Sequence, residues 1–180
     1  MGDAYQIKNQ EGVYFLTFQV VAWVDLFSRK RYRDLIVESL NYCIQNKGLQ
    51  VYSWCIMSNH VHCILSAQEG NLSAVVRDFK THTSKQILSS VKDEPESRRE
   101  WMLFQFKQAA QKHLRNINFQ VWTHENHAVE LTDRFITDSK LNYILQNPVA
   151  EGYVDEPEQY IYSSARDYSG SKGLVNIVHV

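Results

Sequence analysis

Residues 49–66 read LQVYSWCIMSNHVHCILS, and this stretch decides the fold of the chain. Residues 49–57 and 60–66 are rich in β-branched, aromatic and other apolar side chains, which indicates two strands. Only Ser58 and Asn59 separate them, and a two-residue connection joins antiparallel strands. We therefore predict a β-hairpin here.

The segments on either side of the hairpin predict further elements. Residues 13–27 are rich in Val, Phe, Tyr, Trp and Thr and indicate a long strand. Residues 32–44 carry apolar side chains at i, i+3, i+4 and i+7, which predicts an amphipathic helix with Gly48 as its left-handed cap. Asn71 can cap a second helix, whose apolar stripe runs over residues 72–87.

The second half of the chain has a weaker pattern. Residues 92–99 are charged and contain a proline, so we expect a loop. Residues 101–114 are predicted to be helical and residues 119–122 to form a short strand. A last helix is predicted over residues 137–146 and is expected to stop at Pro148, because proline disfavours helical geometry in the residue before it.

The order of these elements indicates the fold class. A chain that begins strand, helix, strand, strand, helix is typical of an α+β fold with a ferredoxin-like split βαβ sheet, mostly antiparallel, with the helices packed on one face. At 180 residues a single domain is expected. We assign it to residues 1–180, with a core at about residues 13–170.

Composition bounds the possible roles. The net charge is −1, whereas proteins that bind DNA mainly through its phosphates usually carry an excess of positive charge. Lys and Arg nevertheless cluster at residues 29–33, 77–85 and 107–115. The N-terminal ten residues are polar, and the longest apolar stretch is far shorter than the roughly 20 residues that span a membrane. We expect a cytoplasmic protein with no membrane partner. The sequence has three cysteines: Cys43, Cys55 and Cys63. Their number and spacing indicate neither a metal site nor a set of disulfides, which fits a reducing compartment.

Two histidines in the hairpin are candidate metal ligands. Side chains two apart in a strand point to the same face, so His60 and His62 can converge on one ion while Val61 faces the core. Where a histidine pair has no other supporting feature, a structural role is commoner. One histidine is then exposed, and the other is buried with its hydrogen bonds made inside the core.

The last predicted helix carries candidate nucleophile chemistry. At about 100° per residue, Lys140, Tyr143 and Asn147 fall within one arc, with Leu141 and Leu145 on the opposite, core-facing side. A tyrosine on a polar helical face is usually an ordinary surface residue. Here the same arc also holds an amide that could ligate a metal and an ammonium group that could steady a phosphate.

Four features of the sequence occur together in one known family. They are the run Met57-Ser58-Asn59-His60-Val61-His62, the pair Tyr143 and Asn147, the run Asn147-Pro148-Val149, and Tyr162-Ser163-Ser164-Ala165 with Tyr168. On these features the chain resembles the REP-associated tyrosine transposases, which are single-tyrosine HUH nucleases related to bacterial insertion-sequence transposases. The resemblance spans about residues 13–170 and implies the HUH-nuclease type of ferredoxin-like fold.

The resemblance also implies a function. His60, His62 and Asn147 would ligate Mg²⁺ or Mn²⁺, and Tyr143 would attack single-stranded DNA to form a 5′-phosphotyrosine. The DNA would contain a hairpin, the protein would work in the bacterial cytosol or nucleoid, and a homodimer is possible. Phosphate or DNA contacts are expected from Lys140, Arg77, Lys80, Lys85 and His127.

Two other functions remain open at this stage. The first is a catalytically inactive, domesticated module that binds single-stranded DNA or RNA, and the second is a small metallohydrolase. Weaker candidates are additional carboxylates near the metal (Asp25 and Glu130), indoles that could stack on bases (Trp23, Trp54, Trp101 and Trp122), and three further histidines, expected to be surface or structural (His82, His113 and His124).

Overall fold

The computed structural model describes residues 6–112 and 118–179. Its sheet contains four antiparallel strands in the order β2-β3-β1-β4, the strand order of a ferredoxin-like fold. The fold class and the hairpin are confirmed. The strands are β1 (Tyr14–Gln19), β2 (Leu49–Ile56), β3 (His60–Ala67) and β4 (Val129–Glu130).

Helices occupy most of the remaining chain. Gly48 ends the first helix in the left-handed conformation, with φ 62°, and its N–H bonds the carbonyl of Cys43, as predicted. Asn71 precedes the second helix, but its side chain bonds Glu69 rather than the helix amides. The helices are α1 (Lys30–Lys47), α2 (Leu72–Asp93), α3 (Arg99–Gln111), α4 (Arg134–Ala150) and α5 (Ala165–Tyr168), with 3₁₀ turns at Val21–Trp23, Leu26–Ser28 and Pro157–Gln159.

Two strand predictions are wrong. The strand predicted over residues 13–27 ends at Gln19, because the chain turns outward at Ala22 and Trp23, which both have positive φ. Residues 119–122 form only a single bridge between Trp122 and Val20, and the fourth strand lies further on at β4.

Pro148 does not stop α4. It lies inside the last turn, which closes with the Glu151 N–H on the Asn147 carbonyl at 3.0 Å. A proline so close to a helix end removes one amide and leaves the preceding turns intact.

The sheet is covered on both faces, so the prediction of helices on one face is also wrong. Alternate residues of β1 and β3, such as Leu16 and Cys63, pack with α1 and α2 in the larger core. The other residues, such as Phe15 and Ile64, form a second cluster with Ile144 of α4. His60 and His62 alternate with the larger-core residues of β3 and therefore face α4.

The buried side of α4 differs from the prediction. Its fully buried residues are Ile144, Asn147 and Pro148, whereas Leu141 and Leu145 are only partly buried. The face of α4 that carries Asn147 is thus turned to the sheet, because Ile144 packs in the second cluster with Phe15 and Ile64. The arc of Tyr143 and Asn147, which was expected to lie opposite the core-facing side of the helix, is the one that meets β3.

The edge strand β2 is covered by the C-terminal segment. Along this edge the carbonyl of Tyr162 accepts from Ile56, the Ser164 N–H bonds Trp54, and the Val178 N–H bonds Val51, at 3.0, 2.9 and 2.8 Å. In the described part of the chain, no helix has the length and apolarity needed to cross a membrane.

Candidate active site

His62 is held in place by two neighbours on β1. Thr17 pairs with His62 across the β1–β3 ladder, and its hydroxyl oxygen lies 2.9 Å from His62 Nδ1. The Phe15 ring stacks on the imidazole, with centroids 5.4 Å apart and planes inclined by 25°. Because Nδ1 is engaged by Thr17, Nε2 is the nitrogen that faces the rest of the site.

Tyr143 of α4 meets that nitrogen. Its hydroxyl lies 3.5 Å from His62 Nε2, and the two rings are 5.2 Å apart in an edge-on arrangement. The tyrosine is 48% exposed, so the side chain is accessible from solvent. The structure therefore brings together, within one chain, a phenol and an imidazole that are 81 residues apart.

His60 completes the imidazole pair and is positioned by Asn59. The His60 and His62 rings are 4.5 Å apart. His60 Nδ1 lies 2.7 Å from Oδ1 of Asn59, whose amide nitrogen donates to Asp25 Oδ1 at 3.3 Å. A carboxamide oxygen accepts hydrogen bonds, so His60 Nδ1 carries the proton and Nε2 keeps its lone pair. Asp25 reaches the pair only through Asn59.

Burial favours the neutral form of both imidazoles. Burial lowers the pKa of His62 to about 3, and the nearby His60 and Lys140 add to the effect. Burial also lowers the pKa of His60, against a weaker opposing influence from the carboxylate of Glu151 at the end of α4. Neutral imidazole is the form that ligates metals.

Asn147 supplies an oxygen that lacks a partner. It lies one helical turn beyond Tyr143 and is 8% exposed, and its Oδ1 is buried without a hydrogen bond from any described residue. An orphaned buried carbonyl costs about 1–3 kcal/mol, which a bound cation would offset. Two neutral imidazoles and this oxygen suit a divalent ion. Within the described ranges, no three His, Cys, Asp or Glu side chains cluster as a metal site, so a third ligand beside the two histidines would be of another kind, such as this amide.

Lys140 lies beside Tyr143, about one turn earlier on α4. Its Nζ is 4.8 Å from the centroid of the Phe15 ring and 5.9 Å from that of Tyr143. The ammonium group places a positive charge near the two imidazoles. This placement suits contact with an anionic substrate.

The three basic residues predicted on α2 are not part of this site. Arg77, Lys80 and Lys85 line a separate groove of about 890 Å³ between α2 and residues 119–126. Lys80 bonds the Thr123 carbonyl at 2.8 Å and Asn126 Oδ1 at 2.6 Å, and burial lowers its pKa to about 8. Lys80 therefore ties this loop to α2.

Two further candidates, His127 and Glu130, lie at different places relative to β1. His127 has φ 44° and follows Asn126, whose carbonyl accepts the Thr17 N–H at 2.8 Å, so it lies beside β1. Glu130 lies opposite Tyr14, on the other face of the sheet from His62, and bonds Asn9. The sheet therefore separates its carboxylate from the histidine pair.

The four tryptophans and the remaining histidines differ in how exposed they are. Trp54 and Trp122 are buried in the core, whereas Trp23 and Trp101 are exposed. His82 and His124 lie on the surface, as expected, and His113 lies outside the described residues.

Three contributors were missed by sequence reasoning: Phe15, Thr17 and Asn59. The period-2 pattern of β1 puts Phe15 and Thr17 on one face. The register that sets Thr17 opposite His62 is a long-range pairing, and nothing local in the sequence specifies it.

Comparisons with known proteins agree with this architecture. The sequence model of the family "Transposase IS200 like" matches residues 18–139, and the chain belongs to that family. The match includes the histidine pair and ends before Tyr143. A solved REP-associated tyrosine transposase bound to a REP hairpin shares the fold, with a TM-score of 0.65 and 14% identity over 100% of this chain and 93% of the other. No curated protein matches the sequence.

Proposed function

We propose that this protein is a metal-dependent endonuclease and strand transferase for single-stranded DNA, with Tyr143 as the nucleophile. The observation that carries the proposal is the 3.5 Å approach of the Tyr143 hydroxyl to His62 Nε2. A phenol that is half exposed and adjacent to neutral imidazoles can reach a phosphate held at those imidazoles. Membership of a transposase family supports the same chemistry.

The reaction exchanges one phosphodiester for another. The Tyr143 oxygen attacks phosphorus, the bond from phosphorus to the 3′ oxygen breaks, and the phenol proton is lost as the leaving oxygen gains one. The products are a 5′-phosphotyrosine and a free 3′-hydroxyl. Because the covalent bond retains the energy of the phosphodiester, a second strand end can be joined without ATP.

The residues of the site divide this work. His60, His62 and Asn147 would hold Mg²⁺ or Mn²⁺, which when bound polarises the phosphoryl group. Thr17 and Asn59 orient the two imidazoles by fixing which nitrogen faces inward. Lys140 would neutralise charge on the phosphate. We place Arg77, Lys85 and His127 only as peripheral DNA contacts.

We also propose that the DNA contains a hairpin. The structural neighbour is bound to a REP hairpin, and a hairpin with unpaired flanks offers single-stranded DNA at a fixed position. Catalysis would take place within one chain, because Tyr143 and His62 already meet without a partner.

Covalent capture of labelled DNA tests the proposal. With hairpin oligonucleotides and Mn²⁺, a 3′ label should migrate with the protein on a denaturing gel, whereas a 5′ label should be released. Tyr143→Phe should abolish the adduct and preserve binding, and Tyr42→Phe, on the exposed side of α1, is the matched control. EDTA should prevent the reaction. Binding without nicking at any cation tried would instead indicate an inactive DNA-binding module.

A further inference from the structure

The turn after β1 presents an exposed tryptophan on a strained backbone. Ala22 and Trp23 adopt φ of 53° and 54°, in the left-handed region that residues other than glycine rarely occupy. Trp23 is 66% exposed, the most exposed tryptophan of the described residues. Strained backbone persists where the surrounding structure enforces it, and it is commonest at functional sites.

The surrounding structure does enforce this turn. Val20 donates to the Asn59 carbonyl and Val21 donates to the Val121 carbonyl, both at 2.9 Å. Val20, Val21 and Val24 are buried, so the chain is anchored on both sides while Ala22 and Trp23 are pushed out. The anchors hold the indole at a fixed place on the surface, where hydrophobicity alone would favour burying it.

We propose that Trp23 is a stacking platform for an unpaired base of the DNA that enters the active site. The inference rests on the proposed function and adds a second contact to it, outside the catalytic residues. Stacking on an exposed aromatic ring is how proteins bind single strands without reading their sequence, because every base has a flat face.

The position of the turn suits this role. Gln19 pairs with His60, and Trp23 is four residues further along, at most about 14 Å by chain length. The turn also lies directly beside Asn59, which orients His60. A strand whose phosphate lies at the histidine pair is therefore within reach of Trp23 over a few nucleotides.

The neighbouring helix has the composition of a nucleic-acid surface. α3 packs against the turn, and its exposed side carries Trp101, Phe104 and Lys107. Their spacing of three residues places them on one helical face. Two aromatic rings followed by a cation on one face suit bases and a phosphate, which favours a DNA strand over an apolar protein partner.

Binding measurements in a Tyr143→Phe background test the inference without cleavage. The probe is a DNA hairpin with oligothymidylate tails, titrated by fluorescence anisotropy. Trp23→Ala should weaken binding by about 5- to 100-fold, and Trp23→Phe should recover most of it because a ring remains. The same hairpin without tails should bind Trp23→Ala and its parent protein with equal affinity. Tyr42→Ala removes an aromatic ring of similar exposure on α1 and should change nothing.

An abasic scan locates the base. Removing one base from the tail at the contacted position should weaken binding to the parent protein and not to Trp23→Ala. Equal affinity of Trp23→Ala and its parent for the tailed hairpin would overturn the inference, as would an equal loss on the hairpin without tails.

The adduct assay with Tyr143 intact separates this inference from the proposed function. If no adduct forms but the effect of Trp23 on binding persists, the nuclease assignment fails and the stacking role stands. If the adduct forms while Trp23→Ala binds and reacts like its parent, the stacking role fails and the nuclease assignment stands.

Discussion

The hydroxyl of Thr17 lies 2.9 Å from Nδ1 of His62, directly across the β1–β3 ladder. This contact determines which imidazole nitrogen faces Tyr143. It also makes Thr17 a positioning residue, because it acts on the site only through His62.

Replacing that hydroxyl should weaken metal binding. Thr17→Val keeps the shape of the side chain and removes the hydrogen bond, so His62 loses its fixed orientation. We expect the affinity for Mn²⁺ to fall about 10- to 100-fold, as is typical when such an orienting partner is lost. Isothermal titration calorimetry measures the change, and Thr17→Ser should restore the affinity. If Thr17→Val binds Mn²⁺ as tightly as the parent protein, Thr17 does not position His62 for metal binding.

The orphaned oxygen of Asn147 predicts opposite effects on stability and metal binding. Asn147→Leu removes a buried acceptor that has no described partner, so the metal-free protein should gain about 1–3 kcal/mol in its free energy of unfolding. The variant should lose the increase in Tm that Mn²⁺ gives the parent protein. Gln146→Leu, exposed on the same helix, is the control and should keep the metal response. An Asn147→Leu protein that Mn²⁺ still stabilises would exclude Asn147 as a ligand.

Catalysis within one chain has a direct test by mixing. Tyr143→Phe lacks the proposed nucleophile and His62→Ala lacks a proposed metal ligand, so a mixture can form adduct only if two chains share a site. We expect no adduct from the mixture and a monomeric mass by light scattering. The C-terminal segment supports this expectation because it covers the β2 edge, which would otherwise be open to pairing with another sheet. Adduct from the mixture would show that subunits complement each other.

The acid stability of the fold should depend on Glu96. Its side chain is fully buried among Arg29, Arg31 and Arg98. Burial alone would raise the pKa of the carboxyl, but hydrogen bonds from Arg98 and Tyr32 and the charge of Arg98 lower it from an ordinary 4.5 to about 2.

A folded-state pKa below the unfolded value means that this stability is present above about pH 5 and is lost as the pH falls toward about 2. Titration of Glu96 should account for about 3 kcal/mol. Urea unfolding at stepwise pH should show the difference between the parent and Glu96→Gln narrowing over that window. Glu38→Gln, at an exposed position, should follow the parent at every pH. A difference that does not change with pH would contradict the assignment.

The strain at the Trp23 turn predicts a stabilising substitution. Ala22→Gly relieves a left-handed conformation that costs an L-residue about 1–2 kcal/mol, and part of this gain is offset by the greater freedom of glycine when unfolded. We expect the free energy of unfolding to rise by up to about 1 kcal/mol, measured by chemical denaturation. Ala74→Gly, in the helical backbone of α2, should change stability in the opposite direction. Destabilisation by Ala22→Gly would show that the turn is not strained.

The hairpin, the α1 helix with its Gly48 cap and the α+β class followed from residues close together in sequence. Period, turn chemistry and capping are local properties, so they can be read without knowing the rest of the chain. The candidate pairs His60 with His62 and Tyr143 with Asn147 also came from local spacing.

The boundaries that failed depend on distant contacts. β1 ends at Gln19 because the chain turns outward at Ala22 and Trp23, a turn anchored by bonds from Val20 and Val21 to the distant Asn59 and Val121. β4 is a strand because Val129 and Glu130 pair with β1. Local propensity cannot anticipate such pairings, since tertiary contacts override it.

Side-chain spacing placed the imidazoles on one strand face and the phenol on one helix face. It did not place those two faces against each other. That arrangement arises because Ile144 packs with Phe15 and Ile64 on the side of the sheet opposite α1 and α2, which turns Tyr143 and Asn147 toward β3. Burial of a few apolar side chains, summed over the whole fold, thus determines the geometry on which the proposed chemistry depends.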